Sequence, residues 1–254
     1  MRVVTTCGKQ GFKQYGHRWL DSRKNWPEGT DFQFYTEGYK VDCPGKDMSD
    51  LRDFHEWKAA YAHYVPPSWR FDIVKFAHKV FAVYDALRDY DGIGVWLDAD
   101  TVTYEQIPQG LVESQVKDDY IALYDRTGHY PETGFWIVNC VHAQHQDFFG
   151  WWSRLYWTGN FTRLPEWHDC TTLQAACKRF VAKGLITVNN LSGEFAKDMH
   201  PQAKAEPFCR YLDHCKGMRK DKGSSPENRH HAHGIACSHA LGHLGERGQP
   251  GKAA

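Results

Sequence analysis

The chain has 254 residues, enough to bury one large core without auxiliary staples, and its 31 Lys+Arg against 31 Asp+Glu exclude a strongly basic nucleic-acid coat. Eight cysteines with no Cys-x-x-Cys pair exclude a zinc ribbon or a small disulfide scaffold and read as reduced thiols. The N-terminal apolar run is too short for a signal peptide and no stretch approaches the ~20 apolar residues of a membrane span, which predicts a soluble, cytoplasmic protein.

Residues 3–6 read as a first buried strand, followed by Cys7-Gly-Lys-Gln-Gly11, a glycine-bearing turn into a helix over residues 15–20. Strand, loop and helix in that order suit a nucleotide site. Residues 32–36 form a second strand. Ser49 is placed to cap a helix through Leu51, Phe54 and Trp57, stopped by Pro66-Pro67, and this insertion is expected to cover the cleft. The clearest helix is 71–88, where Ile73, Phe76, Ala77, Val80, Phe81, Tyr84 and Leu87 recur at helical spacing. Lys75 and Lys79 lie off that stripe, one turn apart, as a solvated face or as phosphate contacts.

The run Gly92-Ile-Gly-Val-Trp-Leu-Asp98-Ala-Asp100 combines a short apolar strand with two carboxylates at its end. Residues two apart in an extended chain share a face, so Asp98 and Asp100 converge on one volume. Two carboxylates so close repel unless a cation neutralises them, and Mg2+ or Mn2+ accepts such hard ligands while keeping positions for substrate phosphates. A solvated turn is the competing account, but the covered apolar strand before it favours a site, because ligands of α/β sheets bind beyond strand carboxyl ends.

A helix near 108–114, a strand at 120–124 and an apolar run at 134–138 follow. Residues 145–158 are aromatic all round, which favours core packing over acceptor stacking. Glu132 and Gly134 head the apolar run at a cleft edge or in an ordinary turn. Glu166, His168 and Asp169 open a helix, where they act on substrate or cap the dipole. The segment from Asp213 to Lys220 holds His214, Gly217 and the cations Lys216, Arg219 and Lys220. A neutral His214 nitrogen would complete the coordination begun by the aspartates, Gly217 would let backbone approach a phosphate, and the cations would neutralise a leaving diphosphate. Residues 221–254 turn to Gly, Ser, Pro, Lys and His and read as a flexible tail, whose histidines 230, 231, 233, 239 and 243 receive no role.

Taken in order, Trp-Leu-Asp98-Ala-Asp100-Thr, Glu132-Thr-Gly-Phe, Glu166-Trp-His-Asp169 and Asp213-His-Cys-Lys-Gly-Met-Arg-Lys220 resemble GT-A fold glycosyltransferases over residues 1–220, most of all small phage and bacterial ones. His214, Gly217 and Lys220 also match the late His-x-x-Gly-x-x-Lys motif of the glycogenin-like retaining family. The chain departs from that family at Glu132-Thr-Gly134, where Asn-Ala-Gly is usual, and at Asp169-Cys-Thr171, where Asp-Gln-Asp is usual, so the stereochemical outcome stays open.

The resemblance implies a single α/β domain with a mixed, mostly parallel Rossmann-like sheet flanked by helices. It implies a divalent metal, Mn2+ or Mg2+, on Asp98, Asp100 and His214, and a nucleotide-sugar donor, UDP-linked. Lys216, Gly217, Arg219 and Lys220 would hold the diphosphate, Thr5 and Thr6 would seat the nucleoside, and Glu132, Glu166, His168 and Asp169 would face donor sugar and acceptor, with Asp169 as base or orienting group. The acceptor is a saccharide, a protein or, by the phage likeness, a hydroxymethylated DNA base, with Lys9, Lys13, Arg18, Arg23 and Lys24 tracking phosphates. Two other functions remain open from sequence: a sugar nucleotidyltransferase, against which the lack of a glycine-rich triphosphate loop weighs, and a non-catalytic carbohydrate or nucleic-acid binder.

Overall fold

The computed structural model describes residues 1–217 and 219–223. The tail expected from 221 onward, with its histidines, lies outside the described residues from 224. In chain order the elements are β1 (Arg2–Thr6), α1 (Lys9–Gly11), α2 (His17–Ser22), β2 (Asp31–Tyr35), α3 (Arg52–Ala60), α4 (Ile73–Leu87), β3 (Ile93–Leu97), β4 (Thr101–Thr103), α5 (Leu111–Ser114), β5 (Ile121–Tyr124), β6 (Glu132–Asn139), α6 (His145–Trp157), α7 (Asp169–Ala182), β7 (Val188–Asn190), β8 (Leu212–His214) and α8 (Arg219–Lys222). Six strands make one sheet in the order β2-β1-β3-β6-β5-β7, while β4 and β8 make a separate antiparallel ribbon. Three of the five pairings in the large sheet are parallel, and β6 runs antiparallel to both neighbours. This is the mixed, mostly parallel α/β architecture expected.

Alternation along the strands divides the core into two layers. Val4, Trp96, Leu123, Trp136 and Val138 pack with α3, α4, α6 and α7 on one face. Val3, Val95, Leu97, Ala122, Phe135 and Ile137 pack on the other with Trp19, Trp26 and Phe208. Both faces of the central strands are thereby covered, which is why their sequences are apolar without polar alternation. Gly94 is required by this packing, since a Cβ there would lie 2.7 Å from Leu87 Cδ1 and 3.0 Å from Val138 Cγ1. The aromatic segment forms α6 and does serve the core: Phe148, Phe149, Trp152 and Tyr156 are buried.

Four local expectations change. The first helix begins at Lys9 and passes through a π turn at Phe12–Gly16 before α2. Asp47, not Ser49, caps the turn before α3, its carboxylate accepting from the Ser49 amide at 2.9 Å, because Ser49 already lies inside a 3-10 turn. α3 ends at Ala60, well short of the prolines, and gives no residue to the cleft beyond β1 and β3; Phe54 and Trp57 are buried, and the Trp57 indole donates to the Tyr156 carbonyl at 2.8 Å. α4 is buried more widely than its expected stripe, because Lys79, Val83 and Ala86 are also covered while Phe76 and Tyr84 are only half-buried. Among the described residues no helix is long and apolar enough to cross a membrane.

Candidate active site

A cleft of about 430 Å³ opens where β1 and β3 end and β6 begins, lined among others by Thr6, Tyr15, Asp98, Asp100, Gly134 and Lys220. Asp98 follows β3 directly, its amide bonded to the Gly134 carbonyl at 2.8 Å, and a turn through the Thr101 amide to the Asp98 carbonyl at 2.9 Å brings Asp100 round to the same side. β4 then pairs with β8 so that Thr101 faces His214. The imidazole Nε2 stands 3.0 Å from Asp100 Oδ1 and 3.7 Å from Asp98 Oδ2. Asp98, Asp100 and His214 thus bring one ligand atom each within 4.8 Å of one another, although the two aspartates meet through a turn after β3 and not, as expected, by alternation along an extended strand.

The donor set suits a hard divalent cation, two carboxylate oxygens with one imidazole nitrogen. Partners on the far ring nitrogen strengthen the fit. His214 Nδ1 lies 3.2 Å from Gln202 Oε1 and 3.3 Å from Glu132 Oε1, an outer contact that turns Nε2 toward the aspartates. Burial pulls the imidazole down, but Asp100 and Glu132 outweigh it and raise its pKa to about 9. Burial pushes the Glu132 carboxyl up, yet His214 and Lys216 hold it near about 2. Glu132 Oε1 accepts from Lys216 Nζ at 2.5 Å, whereas its buried Oε2 has no hydrogen-bond partner among the described residues.

Gly134 makes this convergence possible. A Cβ at that position would lie 2.3 Å from His214 Cε1, 2.5 Å from its Nδ1 and 3.3 Å from Asp98 Oδ2. Gly134→Ala is therefore expected to push the imidazole out of line and weaken Mn2+ binding by about 10–100-fold, the range for disturbing a ligand's orientation. Titration calorimetry with Mn2+ checks this, and unchanged affinity would remove His214 from the ligand set.

Lys79 differs most from expectation. It is buried, not solvated, and lines the cleft. Its ammonium lies 2.9 Å from Asp98 Oδ1, donates to the Thr133 carbonyl at 3.0 Å and pairs with Asp169 Oδ2, beneath the Trp96 ring. Burial opposes both charges, yet Asp169 and Asp98 hold the ammonium above its usual pKa, and Lys79 with Thr133 holds the Asp169 carboxyl below its own. Asp169 occupies the first turn of α7 without capping it; its carboxylate also accepts from Thr133 Oγ1 at 2.5 Å. The grouping of His168, Asp169 and Cys170 has metal-ligand composition too, but Asp169 is committed to Lys79 and Thr133, and His168 Nε2 to Glu166 at 2.7 Å.

The remaining expected residues divide. Thr6, Lys75, Lys216, Gly217 and Lys220 line the cleft with Glu132 and Asp169. Lys220 Nζ lies 2.9 Å from Asp100 Oδ2 and over the Tyr15 ring, and Gly217 takes φ +61° at the bend that returns the chain to the cleft. Thr5 does not line it: strand alternation buries Thr5 completely while Thr6 faces the opening. Arg219 does not line it either, being paired with the buried carboxylate of Asp213. Glu166 and His168 face an adjoining groove. Lys9, Lys13 and Lys24 are exposed and line neither cavity, while Arg18 donates to the Lys220 carbonyl and Arg23 to those of Leu20 and Asp42. Sequence reasoning missed Tyr15, Trp96, Thr133 and Gln202.

No protein-family model and no curated protein matches the chain. Its fold, however, is similar to solved glycosyltransferases. The galactosyltransferase LgtC, in complex with donor and acceptor sugar analogues, is 13% identical over 93% of this chain and 96% of its own, with a TM-score of 0.50. The bifunctional glycosyltransferase WbbM is 12% identical over 85% of this chain and 46% of its own, with a TM-score of 0.51. The chain has the GT-A fold of glycosyltransferases.

Proposed function

We propose that the protein is a metal-dependent glycosyltransferase that moves a sugar from a nucleoside diphosphate sugar, UDP-linked, to a hydroxyl acceptor. The convergence of Asp98, Asp100 and His214 at the sheet's carboxyl edge, made possible by Gly134, carries this reading. Charge supports it. The cleft is lined by five cationic side chains, Lys75, Lys79, Arg126, Lys216 and Lys220, against the four carboxylates Asp98, Asp100, Glu132 and Asp169. One added dication makes such a cleft complementary to a diphosphate.

Mn2+ or Mg2+ on Asp98, Asp100 and His214 would supply charge neutralisation to the diphosphate as the glycosidic bond breaks. Lys216, Lys220 and the backbone at Gly217 bind the phosphates, and Thr6 with Tyr15 walls the nucleoside end. Glu132, which lines the cleft beside Lys216, faces the donor sugar. Asp169, kept ionised by Lys79, is a weak base and a strong hydrogen-bond acceptor, so its role is to orient the sugar. The anomeric carbon exchanges its bond to the diphosphate oxygen for one to the acceptor oxygen; the bonding pair leaves with the phosphate, and the hydroxyl proton ends on the released nucleoside diphosphate.

The test is thermal denaturation with a panel of nucleotide sugars, with Mn2+ or with chelator. A UDP-sugar at about 100 times its Kd adds ~2.7 kcal/mol, which raises Tm by about 5–10 °C in a chain of this size. An equal rise in chelator, or no rise with any nucleotide sugar, overturns the reading. Pyrophosphate release from a nucleoside triphosphate would establish nucleotidyl transfer instead.

A further inference from the structure

Beside the cleft lies a second groove of about 760 Å³, and the two share Phe76, Arg126, Asp169 and Cys170, so they are continuous where Asp169 sits. One wall carries Trp69, 61% exposed. The indole is nevertheless held in place. Its neighbours are the Arg70 guanidinium at 5.6 Å, the Phe76 ring at 6.5 Å and the His168 ring at 5.6 Å, tilted by 31°. The short turn that bears it is pinned by the Trp167 amide, which donates to the Arg70 carbonyl at 2.9 Å, and by Phe71 packed edge-on against Trp167 at 5.4 Å. Alongside it, the Glu166 carboxylate accepts from Arg70 Nη1 at 2.8 Å and from His168 Nε2 at 2.7 Å. Tyr130 stands edge-on to His168 at 5.1 Å.

A preorganised aromatic face beside a carboxylate and a guanidinium is a combination with a specific complement. We propose that this groove is the acceptor subsite and that it takes a pyranose, whose C–H face lies on Trp69 and whose hydroxyls are held by Glu166 and Arg70. A pyranose presents an apolar face for the indole and, at its rim, adjacent hydroxyls that donate to the carboxylate and accept from the guanidinium. Duplex DNA fits poorly. The groove's three cationic side chains, Arg70, Arg126 and Lys178, share it with Asp125 and Glu166, besides Asp169 that Lys79 already balances, so the excess of positive charge is a single unit and no basic track for successive phosphates. The inference rests on the donor reading above for its place in a reaction, but binding at Trp69 is measurable without any donor.

The full chain, labelled with 5-fluorotryptophan, is titrated with methyl glycosides of glucose, galactose, N-acetylglucosamine and rhamnose, and followed by fluorine NMR; Trp69→Phe assigns the Trp69 resonance. That resonance is expected to move with at least one glycoside. In transfer assays with a UDP-sugar and Mn2+, Trp69→Ala is expected to raise the acceptor KM about tenfold more than the donor KM, and Trp69→Phe to restore most of the loss. A Trp69 resonance unmoved by every glycoside overturns the proposal, as does transfer to a hydroxymethylcytosine duplex and to none of the glycosides. A donor reading that fails shows itself separately, as absence of nucleotide-sugar stabilisation while the glycoside shift at Trp69 persists.

Discussion

Asp100→Asn is expected to lower sugar-nucleotide turnover by more than about 100-fold while the circular dichroism spectrum stays that of the parent. The side chain keeps its shape, and its remaining carbonyl oxygen can still accept from His214 or Lys220, the two groups at 3.0 and 2.9 Å in the parent. What it loses is the charge and the hard anionic oxygen that a divalent cation needs. Disturbing even an outer partner of a metal ligand costs 10–100-fold, so loss of a ligand should exceed that range. Release of UDP in saturating Mn2+ is the measurement. A variant working at near-parental rate would show that the cation site is not used.

The second large effect concerns stability as well as activity. Lys79→Met keeps an unbranched side chain one atom shorter and removes the ammonium from between Asp98 and Asp169, leaving the buried Asp169 carboxylate with Thr133 as its main partner. Stripping one partner from a buried pair costs about 3–5 kcal/mol, which for a chain of this size lowers Tm by about 6–20 °C. The double variant Lys79→Met/Asp169→Leu removes both charges and should recover much of that loss, since an apolar pair of similar volume is often neutral. Activity should not return with it, because the carboxylate proposed to orient the sugar is gone. A single variant that denatures at the parental temperature would mean that Lys79 and Asp169 do not depend on each other.

The contrast between these two sites shows what a sequence discloses. Asp98 and Asp100 are legible because the strand before them is covered on both faces, but their common direction comes from the turn after Leu97 and not from the alternation of an extended chain. Helix α4 was legible from its spacing, but Lys79 was misplaced because a lysine off the main stripe defaults to solvent. The signal lay in its neighbours: Lys79, Val83 and Ala86 themselves follow helical spacing, marking a second buried stripe. Thr5 and Thr6 differ only in strand phase, which no local pattern set. Arg219 looked like a phosphate ligand until Asp213, six residues earlier and buried, was found to hold it. Gln202 and Thr133 depended on contacts between distant segments, with no local signature. Trp69 and Arg70 likewise gain meaning only because the segment before α7 brings Glu166 and His168 beside them.

The ribbon of β4 and β8 ties the candidate site to a segment that follows the large sheet in sequence. All six strands of the main sheet precede residue 191, whereas the imidazole arrives at 214 and the ammonium groups of Lys216 and Lys220 later still. A polypeptide clipped by a protease just after Tyr211 would keep every strand of its large sheet and the four carboxylates of the cleft but lose its covalent hold on His214, Lys216 and Lys220, and on the proposed function is expected to be inactive. Abundance measured by antibody or by near-ultraviolet spectra would therefore overstate the competent fraction of a nicked preparation, and intact mass is the quantity against which specific activity should be normalised.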